Sequence, residues 1–168
     1  MRANSVIRQC LLQVAPVLLG SLLIVLSLGA RAETHGYDPD ADPATDYQQA
    51  LTAAGANGKL VLLVFGSEWC ADCRSLNQKM GLAPLEATVS GNFVVAHVDI
   101  GNWDRNMAFT GQFGDPVGKG IPSIAIIDSD GKALYVSEAG EFATARSSEL
   151  KDLDQWFQLK LAEIRDQP

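Results

Sequence analysis

Residues 60–76 read LVLLVFGSEWCADCRSL, and this stretch decides how the rest of the chain is to be folded. LVLLVF (60–65) is a continuous apolar run with turn residues on both sides, which predicts a strand buried on both faces, as in a parallel sheet. GSEW (66–69) carries the chain out of that strand. A helix is then predicted from Cys70 through Leu76 to Met80, stopping at Gly81. Cys70 and Cys73 therefore meet at a strand-to-helix junction.

A bare C-x-x-C pair says little, but this placement says more. Unpaired N–H groups and the macrodipole at a helix N-terminus stabilise a thiolate at Cys70. Cys73 falls on the same helical face about one turn inward, within the ~4.4–6.8 Å Cα separation that a disulfide needs. Cys70 is then the exposed attacking thiol, and Cys73 the shielded thiol that resolves a mixed disulfide. Two other readings of the pair stay open. The thiolates could grip copper or zinc, with only His35 and His97 available to complete a site, so that a closed four-ligand shell is hard to build. The surroundings could also form a binding module that never turns over.

Working outward, ETHGYDPDADPATD (33–46) is acidic and lacks apolar periodicity, and residues 33–44 are expected to be a flexible arm. Tyr47, Ala50, Leu51 and Ala54 recur at helical spacing until GANGK (55–59). Pro84 can open another helical turn or two. FVVAHVDI (93–100) predicts a second core strand, and RNMAFTGQF (105–113) a short helix. SIAIID (123–128) and ALYV (133–136) predict a β-hairpin. Leu150, Leu153, Trp156, Phe157, Leu161 and Ile164 form the stripe of a last helix, with Ser147 or Ser148 as its expected N-cap. The element order implies an α/β domain over 45–168, with a mixed central sheet between helices.

The first 32 residues read as a signal peptide. Arg2 and Arg8 precede the apolar run 11–28, and Ala30 and Ala32 offer an A-x-A cleavage site before Glu33. The run is also just long enough for a spanning helix, so the alternative is a membrane-anchored protein facing the same compartment. Cleavage would remove Cys10 with Arg2, Arg8 and Arg31. The remaining 10 of 13 Lys+Arg would face 20 Asp+Glu, a net charge of −10. Such a surface argues against nucleic acid as a partner, and against the membrane unless the leader stays uncut. An exported, periplasmic location also permits a disulfide, although one closing so short a loop would brace little structure.

VFGSEWCADCR (64–74), followed by KGIPSIAIID (119–128), resembles the thioredoxin superfamily, and the similarity extends over residues 45–166. The resemblance implies a thioredoxin-like fold with a terminal hairpin and C-terminal helix. It also implies thiol–disulfide exchange with cysteine-containing protein substrates and an upstream redox partner, without a bound cofactor or metal. It places Pro122 after a cis peptide bond facing the cysteines, with the Ile121 backbone pairing to an extended substrate segment, and Trp69 shielding the disulfide and touching substrate.

The sequence departs from that family where a buried aspartate usually lies beneath the cysteines. Val64 occupies that position, and His97 stands where its lysine companion is usual. His97, which titrates near ~6.5 if unperturbed, or Glu68 or Asp72 through water, is then the candidate for handling the proton when Cys73 attacks. Asp72 between the cysteines disfavours a nearby thiolate by roughly 1 kcal/mol or less if solvated. With Ile121 before the proline, this points toward the reducing or electron-relay side. Arg74 is a candidate to attract a thiolate or an acidic partner, with a solvated helix residue as the alternative. Trp103 and Arg105 are candidates for the rim of the groove and the segment 140–149 for its lining, without an assigned chemistry.

Overall fold

The computed structural model describes residues 36–166; the expected leader and the first residues of the acidic arm lie outside the described residues. Helix α1 spans Pro43–Asn57. It starts earlier than its apolar spacing suggests, because Asp42 caps the N–H groups of Ala44 and Thr45 while Pro43 takes the first turn. It ends at Gly58, whose φ of 63° is the left-handed geometry that terminates helices. Strand β1 (Leu60–Gly66) follows, and then α2 (Ala71–Met80), α3 (Leu85–Asn92) and β2 (Phe93–Asp99). Pro84 is the cap of α3 rather than its first residue. The expected 105–113 helix is shorter: α4 covers Met107–Thr110 and tightens into a 3₁₀ turn at Gly111–Phe113. The hairpin β3 (Ser123–Ile127) and β4 (Ala133–Val136) precedes α5 (Leu150–Arg165).

The sheet order is β2-β1-β3-β4, with β1 parallel to β2 and antiparallel to β3. All of β1 except Leu60 and all of β3 are buried, as their unbroken apolar runs require of central strands covered on both faces. Alternation along β1 sends Phe65 to one side, where it meets Phe113 in a cluster with Tyr47 and Phe109. Phe93, paired with Leu60, points to the other side and packs against Phe157 of α5. The result is an α/β layered domain with a four-stranded mixed sheet between helices. Among the described residues no helix is long and apolar enough to cross a membrane.

Two expectations need correction. The cap of α5 is Glu149, without a side-chain bond to the helix, while the hydroxyls of Ser147 and Ser148 donate to the carbonyl of Thr144 instead. Within the expected flexible arm, Tyr37 is only 4% exposed. Its ring fills the space above Gly66, where a Cβ would lie 2.5–2.8 Å from three of its atoms. A lone aromatic that fills a glycine notch gains burial without any periodic pattern in its own segment.

Candidate active site

The C-terminal end of β1 and the start of α2 build the centre of the site. Cys70 is the N-cap of α2, its backbone extended at φ −75° and ψ 114°, and its N–H donates to the Ser67 carbonyl at 3.1 Å. Cys70 Sγ accepts the Cys73 N–H at 3.2 Å, the bond an N-cap acceptor makes to the first turn. A thiolate at Cys70 would sit on that N–H and on the positive end of the helix. The two sulfurs are at disulfide distance, with Cα atoms 5.2 Å apart. Cys73 is wholly buried. Cys70, expected to be exposed, shows only 6% of its surface. The carbonyl oxygen of Ile121 lies 3.7 Å from Cys70 Sγ, and the Ile121–Pro122 peptide is cis.

Two flanks enclose this centre. On one, Trp69 donates its indole N–H to the Gly101 carbonyl at 2.8 Å, and Ser67 Oγ donates to the same carbonyl at 2.6 Å. The turn 101–106 is further tied by Asn106 Nδ2 donating to the Asp99 carbonyl and by an ion pair of 3.1 Å between Arg105 and Asp99. The turn carries Trp103 to within 5.6 Å of Trp69, ring centre to ring centre. On the other flank, the segment 139–149 lies against α2. Lys79 Nζ donates to the carbonyls of Ala145, Arg146 and Ser148 at 2.8, 3.2 and 2.6 Å. The Asp72 carboxylate accepts the Arg146 N–H at 2.8 Å. Phe142 anchors the segment beneath, buried against Trp156 and Phe157. A Cβ on Gly120 would meet Ala143 at 3.1 Å, so this segment also borders the loop that carries Ile121 and Pro122 into β3.

The structure treats the three proton-handling candidates differently. His97 pairs with Val64 across β1 and β2, and its ring meets Tyr37 edge-on at 5.2 Å. Its Nε2 is sealed from solvent without a hydrogen-bond partner among the described residues. Burial pushes the imidazole down to about 4, so it does not titrate near the unperturbed value on which its candidacy rested. Asp72 is engaged as the acceptor for Arg146, and Glu68 is exposed beside Trp69. The Glu68 carbonyl takes a hydrogen bond from Arg74.

Sequence reasoning did not single out Tyr37, Ser67, Lys79 or Asp99. Asp99 is buried at the end of β2, where its carboxylate lies 2.9 Å from Ser67 Oγ, whose one hydrogen it shares with the Gly101 carbonyl, and pairs with Arg105. The Tyr37 hydroxyl is pushed upward, first by burial and then by the charges of Glu68 and Asp99. An acidic residue at the end of a mostly apolar strand was the available signal for Asp99; nothing local marked the other three. Among the described residues, no group of three or more His, Cys, Asp or Glu side chains is placed to hold a metal ion.

Comparison with known proteins agrees with this architecture. Residues 42–129 match the family model described as thioredoxin-like. The solved structure of a disulphide isomerase from Xylella fastidiosa Temecula1 is 37% identical, with a TM-score of 0.71, over 77% of this chain and 96% of that one. The chloroplastic thioredoxin-like protein HCF164 of Oryza sativa subsp. japonica is 32% identical over 88 residues, 52% of this chain and 30% of its own length. The thiol:disulfide interchange protein DsbD of Pseudoalteromonas atlantica is 29% identical over 101 residues, 60% of this chain and 17% of its own. The chain thus spans under a third of either of these longer relatives. With the family match, the sheet order and the paired sulfurs at the head of α2 in agreement, the chain belongs to the thioredoxin-like family of disulfide oxidoreductases.

Proposed function

We propose that the protein is an exported thiol–disulfide oxidoreductase that acts on the reducing or relaying side of exchange with other proteins' cysteines. The observation that carries this reading is the Cys73 N–H aimed at Cys70 Sγ from the first turn of α2, with the other sulfur at bonding distance. In the reduced form, the Cys70 thiolate attacks one sulfur of a substrate disulfide. The Cys70–substrate bond forms, the substrate S–S bond breaks, and the departing thiolate takes a proton. Cys73 gives up its proton and attacks Cys70 Sγ, releasing the second substrate thiol and closing the Cys70–Cys73 disulfide. The substrate gains two electrons and two protons, and an upstream dithiol partner resets the pair.

The disparity in access supports the order of attack: Cys73 is fully enclosed, whereas Cys70 keeps an exposed sliver beside Ile121. Ile121, whose carbonyl oxygen lies 3.7 Å from Cys70 Sγ, supplies with Pro122 the backbone edge for an extended substrate segment. The direction of electron flow rests on Asp72, whose carboxylate in the first turn opposes a thiolate at Cys70 and so favours the disulfide. The leader, the periplasmic location and the domain bounds complete the proposal, and the DsbD-like and isomerase relatives are compatible with them.

The test is to trap the intermediate. A Cys73→Ser variant is expected to accumulate a mixed disulfide on Cys70 with a disulfide-bonded peptide, and a Cys70→Ser variant to form none on Cys73. Equal trapping by both variants, or by neither, would overturn the assigned roles.

A further inference from the structure

Trp69 and Trp103 are 52% and 47% exposed, yet they lie beside a nearly closed disulfide. Their ring centres are 5.6 Å apart and the planes are tilted by 48°, so the two half-exposed indoles form one aromatic patch. Trp103 also adopts φ 59°, the left-handed region that costs a bulky residue on the order of 1 kcal/mol or more. Neither burial nor favourable backbone geometry accounts for a tryptophan there. The turn nevertheless holds it rigidly, through the Gly101 carbonyl that receives both Ser67 Oγ and Trp69 Nε1, and through Asp104, which accepts the Asn102 N–H at 2.8 Å.

The charges around the two rings are acidic. Glu68 precedes Trp69 and Asp104 follows Trp103, and neither has an ion-pair partner among the described residues. Arg105, the cation on the same turn, is paired with Asp99. Arg74 donates to the Glu68 carbonyl and keeps its charge, so two carboxylates, Glu68 and Asp104, stand against this one guanidinium. The chain as a whole carries a formal net charge of −7. Indole faces attract cations through the ring quadrupole, and flanking carboxylates strengthen that attraction.

We propose that Trp69 and Trp103 form a docking surface for an arginine or lysine side chain next to the reactive cysteine of a partner polypeptide. This rests on the exchange reading of the site, because Trp69 directly precedes Cys70 in the chain. It specifies the substrate class as cysteine segments with a basic flank.

The experiment measures equilibrium binding by anisotropy of labelled peptides to the oxidised protein. The peptides carry alanine in place of cysteine and differ only in a flanking Arg, Leu or Glu, so binding is read without any exchange. The Arg peptide is expected to bind about fivefold more tightly than the Leu peptide. Trp103→Leu should abolish that preference, while Trp103→Phe, which keeps a π face, should retain most of it. A Leu peptide that binds as well as the Arg peptide would overturn the proposal and make the surface an apolar cradle. An Arg preference that survives in Trp103→Leu would also overturn it, leaving only long-range charge. Exchange assays on cysteine-bearing versions are read separately. If no exchange occurs, the oxidoreductase reading fails, while the binding order still decides this proposal.

Discussion

Beside the disulfide, the segment 139–149 is held from below by buried Phe142 and from the side by Lys79 and Asp72 of α2. Across the site, the turn 101–106 is also tied down by hydrogen bonds, yet it holds Trp103 half-exposed against Trp69 at a positive φ. One flank turns Phe142 and Ala145 inward and lends stability to the helix that carries the cysteines. The other gives up burial and backbone comfort to display an aromatic ring. Rigid irregular segments beside a reactive group thus serve two purposes, and the direction of the large side chain tells them apart.

Substitutions that separate stability from recognition test this contrast. The largest effect is expected for Phe142→Ala, which empties a site against Trp156 and Phe157 and should cost about 3–5 kcal/mol in urea unfolding. A loss below ~1 kcal/mol would show that the segment is not anchored as described.

His97 comes next. Its folded-state value of about 4 lies below the unfolded value of about 6.5, so the unfolded chain binds more protons between these limits. Stability should therefore fall as pH drops from 6.5 to 4, by up to roughly 3 kcal/mol, and level off below. A His97→Leu variant should lose that component of the pH dependence. Its rate of mixed-disulfide resolution should match the parent across pH 6–8, where the parent imidazole is already neutral. A wild-type slope that persists in the variant would contradict the burial.

Lys79→Met keeps the aliphatic stem and removes the donor to three carbonyls, for an expected loss of about 1–3 kcal/mol. An unchanged midpoint would mean that water replaces the ammonium without cost. The smallest effect is expected for Trp103→Gly. Relief of a left-handed tryptophan should leave stability unchanged or raise it by up to ~1 kcal/mol, even though a large aromatic side chain is removed. A clear loss of stability would return Trp103 to ordinary packing and erase the contrast between the flanks.

The central elements were legible because their signals are local. An apolar run, a break at GSEW and a helix opening at Cys70 predict β1 and α2 to within a residue of their observed bounds. The hairpin followed from two short β-rich runs around a turn, and the bond that the family resemblance singled out between Ile121 and Pro122 is cis. What escaped the sequence depends on distant partners. Tyr37 finds its place only because Gly66, twenty-nine positions later, leaves a notch. Lys79 looks like a solvated helix residue until the segment 145–148 folds onto it. Ser147 and Ser148 have the right chemistry for a cap, but a tight turn at Thr144 takes their hydroxyls first. His97 was visible as a candidate, while its depressed titration comes from the tyrosine and strands that cover it. Trp103 was noticed without any sign of its backbone geometry, which the surrounding hydrogen bonds impose.

The central claim is that Cys70 and Cys73 form an exchanging couple poised to reduce. Equilibrating the domain in graded thiol/disulfide buffers, with tryptophan fluorescence as the readout and alkylation of free thiols as its check, tests it most directly. The account predicts a two-electron transition near the thioredoxin value of about −270 mV. A transition near about −120 mV would reverse the direction and make the protein a disulfide donor. Failure of the pair to equilibrate with any buffer would contradict the exchange chemistry itself.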